Sequence, residues 1–226
     1  KVTLAYDGTH FFGFQRQGPV RTVQLEVEAA LRKLNWQGRA ILSSGRTDTG
    51  VHAAGQVIAF DLDWAHDEDA LGRAMNANLP DDVAVKEVEI APQDFHPRYD
   101  AVSRCYQYQL WFTQGRDPLK DRYAWHTWPP CDLESLRSAA HLLVGTRDFA
   151  AFGTPPRPGG STIRTVFQAS WEVGKEGLWF FQVVANAFLY HMVRKFVFAQ
   201  VLVGQQGHGH RLHRVFSGDL HIERGH

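Results

Sequence analysis

The order of apolar patterns over residues 2–90 is the feature that most restricts the fold. Residues 2–6, 56–62 and 83–90 alternate as strands do, and two stretches between them have helical spacing. A short strand that ends at Ile41-Leu42 completes the order β-α-β-β-α-β. This order is typical of the split βαβ, or ferredoxin-like, arrangement. Thr22 is the expected cap of the first helix, in which Val23, Val27 and Leu31 recur, and the second helix is expected at residues 67–78.

The second half of the chain suggests a related unit. Its predicted elements are a strand at 102–112, a helix capped by Asp132, a hairpin at 166–173 and 179–185, and a buried helix at 188–203. We therefore predict an α+β protein of two units side by side, at residues 1–99 and 100–226.

Charge and composition narrow the class of protein. The 24 Lys and Arg balance the 24 Asp and Glu, but the sum is −4 over residues 1–99 and +4 over residues 100–226, so the second half is the place to look for a local concentration of positive charge that binds an anion. Two cysteines exclude a disulfide scaffold and suit a reducing cytoplasm. The most apolar stretch, 188–203, is shorter than the ~20 residues of a membrane span and contains Arg194. We expect a soluble, cytoplasmic protein.

The segment GRTDTGVHA, residues 45–53, holds the strongest candidate for chemistry. Arg46 and Asp48 lie between two glycines, just after a strand. An arginine within ~4–6 Å lowers the pKa of a carboxyl group, so Asp48 is a candidate nucleophile or base. The simpler interpretation, which such turns make the more common one, is that Thr47 and Asp48 bond to turn amides.

Two further segments have weaker signals. Tyr106 and Tyr108 share one strand face and could stack on a base, although paired tyrosines on a strand usually belong to a core. Arg194, within an apolar helix, needs a carboxylate or phosphate partner unless its side chain reaches the surface.

Asp61, Asp63 and His66 could bind a divalent ion, but a solvated strand edge is the simpler interpretation. The histidines of the tail, His208, His210 and His213, indicate at most adventitious metal binding.

Seven segments together resemble the tRNA pseudouridine synthase A family. They are YDGTHFFGFQRQ, RTVQLEVEAAL, GRTDTGVHAAGQV, ALGRAMNANLP, DFHPRYDAVSRCYQYQL, VGTRDFAAF and NAFLYHMVRK. They occur in the order of the family between Tyr6 and Gly204, and GRTD-GVHA is highly specific.

The resemblance implies an isomerase that converts uridine to pseudouridine at positions 38, 39 and 40 of the tRNA anticodon stem-loop. It implies a homodimer that needs no cofactor or metal, with two joined sheets and a basic cleft between the units. Asp48 matches the family's catalytic aspartate and Tyr106 its active-site tyrosine. Arg46 and Arg194 match the arginines near the carboxylate.

The sequence departs from the family's pattern at three places. Thr49 stands where the family usually has alanine, and the tail lacks the family's Pro/Ala-rich stretch before a last strand, for which only residues 220–223 are a candidate. A third departure is Cys105, which is unusual in its strand.

Three other functions fit parts of the sequence. A catalytically inactive RNA-binding protein would not need the carboxylate at Asp48. A metal-dependent nuclease would use Asp61, Asp63 and His66 and would be inhibited by a chelator. A non-enzymatic scaffold leaves GRTDTGVHA unexplained.

Overall fold

The computed structural model describes residues 1–205 of the chain, which divides into two compact units. The first unit is Lys1–Val102 and the second begins at Ser103. The sequence analysis sets this boundary after residue 99. The predicted tail strand at 220–223 and the three tail histidines lie outside the described residues.

The first unit has the predicted element order. Its elements are β1 (Val2–Tyr6), a single 3-10 turn (Gly8–His10), α1 (Val23–Lys33), β2 (Leu42–Ser43), β3 (Ala53–Ala59), α2 (Glu68–Asn76) and β4 (Val83–Val88). The four strands form one antiparallel sheet in the order β2-β3-β1-β4. This arrangement confirms the split βαβ prediction for the first unit.

Caps and an apolar face explain why the helices form where they do. The Thr22 hydroxyl accepts the Leu25 amide at 3.3 Å, and Asp67 Oδ1 accepts the Ala70 amide at 2.6 Å. Both are side chains that satisfy an otherwise unpaired amide of a first helical turn. The apolar face of α1 and the buried residues of β1 belong to one core cluster, which buried side chains of β3, α2 and β4 complete.

Strand β3 lies three residues earlier than the sequence predicts, at 53–59 instead of 56–62. The shift has a consequence for Asp61 and Asp63. Both residues follow the strand and are exposed, so they do not form the solvated strand edge that the sequence predicts.

The second unit is built on a five-stranded sheet. Its elements are β5 (Arg104–Phe112), the short α3 (Pro118–Asp121), β6 (Trp125–Thr127), α4 (Leu133–His141), β7 (Gly145–Asp148), a 3-10 turn (Ala150–Phe152), β8 (Ile163–Val173), β9 (Leu178–Ala185) and α5 (Met192–Gln205). The strand order is β6-β5-β9-β8-β7, with β6 parallel to β5 and the other pairs antiparallel. The predicted hairpin is β8 and β9, and Asp132 caps α4 as predicted.

Helix α5 begins at Met192, so the prediction of a helix from residue 188 is wrong for its first turn. His191 has φ of +63°, and Tyr190 forms an isolated bridge with Thr154. A left-handed residue interrupts a right-handed helix, which explains the late start. Arg194 therefore lies in the first turn of α5 and not in the middle of an apolar helix.

Helices α4 and α5 cover one face of the second sheet. Phe196, Val197 and Val201 of α5 are buried with Phe181 and Val183 of β9. The architecture confirms the α+β class. The predicted joining of the two sheets and the basic cleft stay predictions. Within residues 1–205 no helix combines the length and apolar character needed to cross a membrane.

Candidate active site

Asp48 lies in the loop that connects β2 to β3. The Asp48 side chain is half-buried, and Arg46, two residues earlier, is exposed. The Val51 amide donates to the Asp48 carbonyl at 3.1 Å, and Gly50 has φ of +76°. A bond from the fourth residue to the first, with a positive φ at the third, defines a type II turn. This turn is closed by backbone atoms and presents Asp48; the simpler interpretation, in which the Thr47 and Asp48 side chains bond to turn amides, stays a prediction.

A second loop, residues 7–14, holds the Asp48 turn from one side. The Phe14 amide donates to the Thr47 carbonyl at 3.0 Å, and the Gly50 amide donates to the Phe11 carbonyl at 3.2 Å. The hydroxyl of Tyr6, at the end of β1, lies 2.8 Å from Thr47 Oγ1. We call residues 7–14 the cradle loop. It fixes the backbone on both sides of Asp48.

Two glycines of the cradle loop make this close approach possible. Gly13 has φ of +82°, and a Cβ at this position would stand 2.8 Å from the Thr47 carbonyl oxygen. A Cβ on Gly8 would overlap the Val51 carbonyl. Both contacts need a residue without a side chain. The sequence shows the glycines and aromatics of this loop, but it does not indicate that they contact a turn some 35 residues later.

His52 ties the far end of the Asp48 turn to the start of the cradle loop. Its Nδ1 accepts the Gly8 amide at 3.0 Å and lies 3.1 Å from Asp7 Oδ1. The neutral ring accepts from Gly8, whereas a protonated Nδ1 would donate to Asp7 instead. His52 lies in the GRTDTGVHA motif, whose sequence alone does not indicate this contact with the cradle loop.

A buried carboxylate anchors the chain that follows the cradle loop. Glu28 of α1 has no exposed surface, and it accepts bonds from Arg16 Nη1 at 2.7 Å and from Gln24 Nε2 at 2.8 Å. The Ile41 amide, just before β2, also donates to Glu28 at 3.2 Å. One side chain of α1 thus connects the segment after the cradle loop with the strand that leads to Asp48.

Arg21 and Asp82 connect the cradle loop to the residue that directly precedes β4. The Arg21 guanidinium donates to both oxygens of Asp82, at 2.7 and 2.9 Å, and the Asp7 amide donates to the Asp82 carbonyl at 3.0 Å. Hydrogen bonding to Asp82 raises the pKa of Arg21, so this pair stays charged.

The predicted pairing of Arg46 with Asp48 is not made in this structure. Among residues 1–205 the exposed Arg46 side chain forms no hydrogen bond or ion pair.

Tyr106 and Tyr108 share one face of β5, as predicted, and both are half-buried. They contact the core of the second unit, and the Tyr106 ring meets the edge of Phe188 at 4.9 Å and 80°. Each tyrosine is thus partly a core residue and partly accessible.

Arg194 lies on the helix that covers this face of the sheet. The Arg194 side chain is exposed, which agrees with the interpretation that it reaches the surface. Burial raises the pKa of Tyr108, and the positive charge of Arg194 partly opposes that rise. The two groups therefore interact electrostatically, so the structure brings Arg194 to the tyrosine face of β5.

The metal site considered for Asp61, Asp63 and His66 is not formed. Within the part of the chain that the structure describes, no three His, Cys, Asp or Glu side chains are grouped closely enough to hold a metal ion.

Comparison with known proteins assigns the chain to a class. A family profile described as tRNA pseudouridine synthase matches residues 3–100 and 139–212. The protein named tRNA pseudouridine synthase A from Geobacillus sp. (strain WCH70) is 42% identical over 207 residues, which is 91% of this chain and 83% of that protein. Its namesake from Neisseria gonorrhoeae (strain NCCP11945) is 41% identical over 205 residues, 90% of this chain and 77% of that protein.

These matches cover most of both chains and include the Asp48 turn, the cradle loop and Arg194. The chain belongs to the tRNA pseudouridine synthase family.

Proposed function

We propose that this chain isomerises uridine to pseudouridine at positions 38, 39 and 40 of the tRNA anticodon stem-loop, with Asp48 as the catalytic carboxylate. Membership of the family supports the isomerisation of uridine in tRNA. The observation that carries the role of Asp48 is the backbone anchoring of its turn by the cradle loop. Enzymes place reacting groups on supports of this kind, because a small displacement lowers the rate steeply.

The reaction is redox-neutral and balances within the nucleotide. The C–N glycosidic bond of the uridine breaks, the uracil turns, and a bond forms between C5 and C1′; C5 loses its proton to water, and N1, freed from C1′, takes up one proton. Asp48 acts in one of three ways: as a nucleophile at C1′, as a nucleophile on the base, or as the base that removes a sugar proton.

The remaining side chains hold the uridine. A paired base hides its glycosidic bond, so the target leaves the helix at a cost of a few kcal/mol. Tyr106 stacks on the uracil and shares in the final loss of the C5 proton. Once substrate is bound, Arg46 occupies the position in the RNA helix that the uracil has left, or it contacts Asp48. Arg194 contacts the nucleotide near the Asp48 carboxylate. The exposure of both guanidinium groups is consistent with these roles.

We also propose that the enzyme acts as a homodimer, with each tRNA reaching across both subunits. The molar mass of the purified protein, measured by light scattering with and without tRNA, tests this point. A monomer that is fully active would disprove it.

The decisive experiment measures tritium release from tRNA that carries uridine labelled at C5, with EDTA present. Only formation of the C5–C1′ bond expels this hydrogen, so hydrolysis gives no signal. We expect release from the native chain and none from Asp48→Ala. The exposed Asp63→Ala is the matched control and should keep full activity.

Each other result points to a different function. Loss of release with EDTA and with Asp63→Ala would favour a metal-dependent enzyme. Tight binding of tRNA without any release from the native chain would favour an RNA-binding protein. Release by a pure Asp48→Ala variant would remove Asp48 from the mechanism.

A further inference from the structure

Two arginines of the second unit are side by side on adjacent strands of the sheet. Arg147 of β7 is the direct antiparallel partner of Arg164 of β8. Directly opposed residues point to the same face, with Cβ atoms about 4.5–5.5 Å apart. Like charges in this position destabilise a sheet. The pair is therefore unfavourable in the free protein.

No acidic side chain among residues 1–205 compensates these two charges. The contacts that they make are to backbone carbonyls: Arg147 Nε donates to Val144 at 3.4 Å, and Arg164 Nη1 donates to Ser161 at 2.9 Å and Ile163 at 2.6 Å. The nearby Asp148 is occupied by Thr162 and by the Ala150 amide.

Arg164 also has an unsatisfied donor. Its Nε is buried and makes no hydrogen bond with the residues that the structure describes. Burial lowers the pKa of the guanidinium, which reflects the cost of holding a charge there without a counterion. A buried donor that lacks a partner indicates an acceptor absent from the free chain.

The strand register places the pair on the face that bears Tyr106. Arg104, Ala185 and Val166 are paired across three neighbouring strands, so their side chains point to one face of the sheet. Tyr106 is two residues from Arg104, and Arg164 is two residues from Val166. Because side chains alternate along a strand, Tyr106 and Arg164 point to that same face. Arg104, Arg164 and Arg147 therefore lie on one face at the same end of the sheet. With strands about 4.8 Å apart, the three span about 14 Å. A chain of phosphates fits this row better than one small anion.

We propose that Arg147 and Arg164 together bind a phosphate of the RNA backbone, and that Arg104 continues this contact toward the nucleotide at Tyr106. Two guanidinium groups on one phosphate replace mutual repulsion with charge-assisted hydrogen bonds. The proposal rests on the proposed function, because it assigns this phosphate to the tRNA substrate.

The test uses the full chain with Arg147→Gln, and with Arg137→Gln as a matched control. Arg137 is an exposed arginine of α4 that already pairs with Glu134, so both variants lose one positive charge from the second unit. The affinity for tRNA is measured between about 50 and 200 mM salt. We expect Arg147→Gln to weaken binding several-fold and to reduce the slope of log K against log salt by roughly 1, with little change for Arg137→Gln.

Four further measurements separate an RNA phosphate contact from a structural role and from a site for free phosphate. Arg147→Gln should raise the KM for tRNA in the tritium assay while kcat stays unchanged, and its melting temperature should stay constant or rise, because a repulsion is removed. Arg147→Lys should restore much of the affinity. Inorganic phosphate, compared with chloride at equal ionic strength, should compete with tRNA only weakly; strong competition would identify free phosphate as the ligand and contradict the assignment to RNA.

The competing role for Arg147 is that of a charge that protects the edge strand β7 from pairing with other chains. In that case Arg147→Gln and Arg137→Gln would bind tRNA equally well. The proposed phosphate contact would then be wrong, even if the unmodified chain still released tritium from tRNA. A native chain that neither binds tRNA nor releases tritium would refute the proposed function itself.

Discussion

The Gly13 α-carbon faces the Thr47 carbonyl so closely that a Cβ at residue 13 would stand 2.8 Å from the oxygen. The next residue, Phe14, donates its amide to the same carbonyl. One carbonyl, adjacent to Asp48, thus receives both a close packing contact and a hydrogen bond from the cradle loop. The position of the Asp48 turn depends on the absence of a side chain at residue 13.

Gly13→Ala should displace the Asp48 turn. Alanine is strained at φ of +82° and would push against a backbone carbonyl, so we expect a loss of about 1–3 kcal/mol in the free energy of unfolding. Because the carboxylate moves, kcat should fall by about tenfold to a hundredfold. Denaturant titration and tritium release measure the two effects. Gly115→Ala, which adds a methyl group in open space, is the control and should change neither.

Glu28→Gln should destabilise the first unit. The carboxylate accepts from Arg16, Gln24 and the Ile41 amide, and a glutamine places an amide donor against at least one of these donors. We expect a loss of about 2–4 kcal/mol, measured by denaturant titration. Glu134→Gln, at an exposed pair, should cost less than about 1 kcal/mol. Equal effects of the two substitutions would show that the buried network contributes little.

The Tyr108 phenol should resist ionisation in the folded protein. Burial raises its pKa, so its contribution to stability is complete below the pKa of an unfolded tyrosine, about 10, and is lost as the pH rises through the folded value. Ultraviolet titration of the native chain against Tyr108→Phe isolates this group. Because the charge of Arg194 opposes the rise, Arg194→Gln should move the Tyr108 pKa still higher. An unchanged pKa would mean that the two groups do not interact.

The two cysteines should differ in reactivity. Burial, assisted by the nearby Asp132, raises the pKa of Cys131 to about 12, and Cys105 is exposed. Since the thiolate is the reactive form, a maleimide or iodoacetamide at about pH 8 should label Cys105 first. Cys105→Ser should leave the native chain unlabelled until it is unfolded. Rapid labelling of that variant would show that the packing around Cys131 opens readily.

Local signals explain which elements could be predicted from the sequence. Thr22 and Asp132 both precede apolar residues at helical spacing, and both cap helices in the structure. Strands β6 and β7 have only three and four residues without clear alternation, and such short stretches give no periodic signal from which a strand can be predicted. The start of α5 was placed too early because an apolar run does not distinguish a buried extended segment from a helix.

The sequence predicts the residues of the candidate site, but it does not predict the contacts that hold the Asp48 turn in place. The motif around Asp48 is local and therefore visible in the sequence. The contacts of the cradle loop join Phe11 and Phe14 to residues more than thirty positions later, and such contacts depend on the tertiary fold. The opposition of Arg147 and Arg164 is equally hidden, since it follows from the register of two strands.

The bond between Arg21 and Asp82 also has a consequence for the order of events during synthesis. A nascent chain that has emerged only as far as β3 already contains Asp48 and the whole cradle loop. It lacks Asp82, whose carboxylate and carbonyl hold Arg21 and Asp7 in place. The contacts that hold Asp7 and Arg21 beside the cradle loop are therefore complete only after residue 82 has left the ribosome, so shorter nascent chains contain Asp48 without its full support.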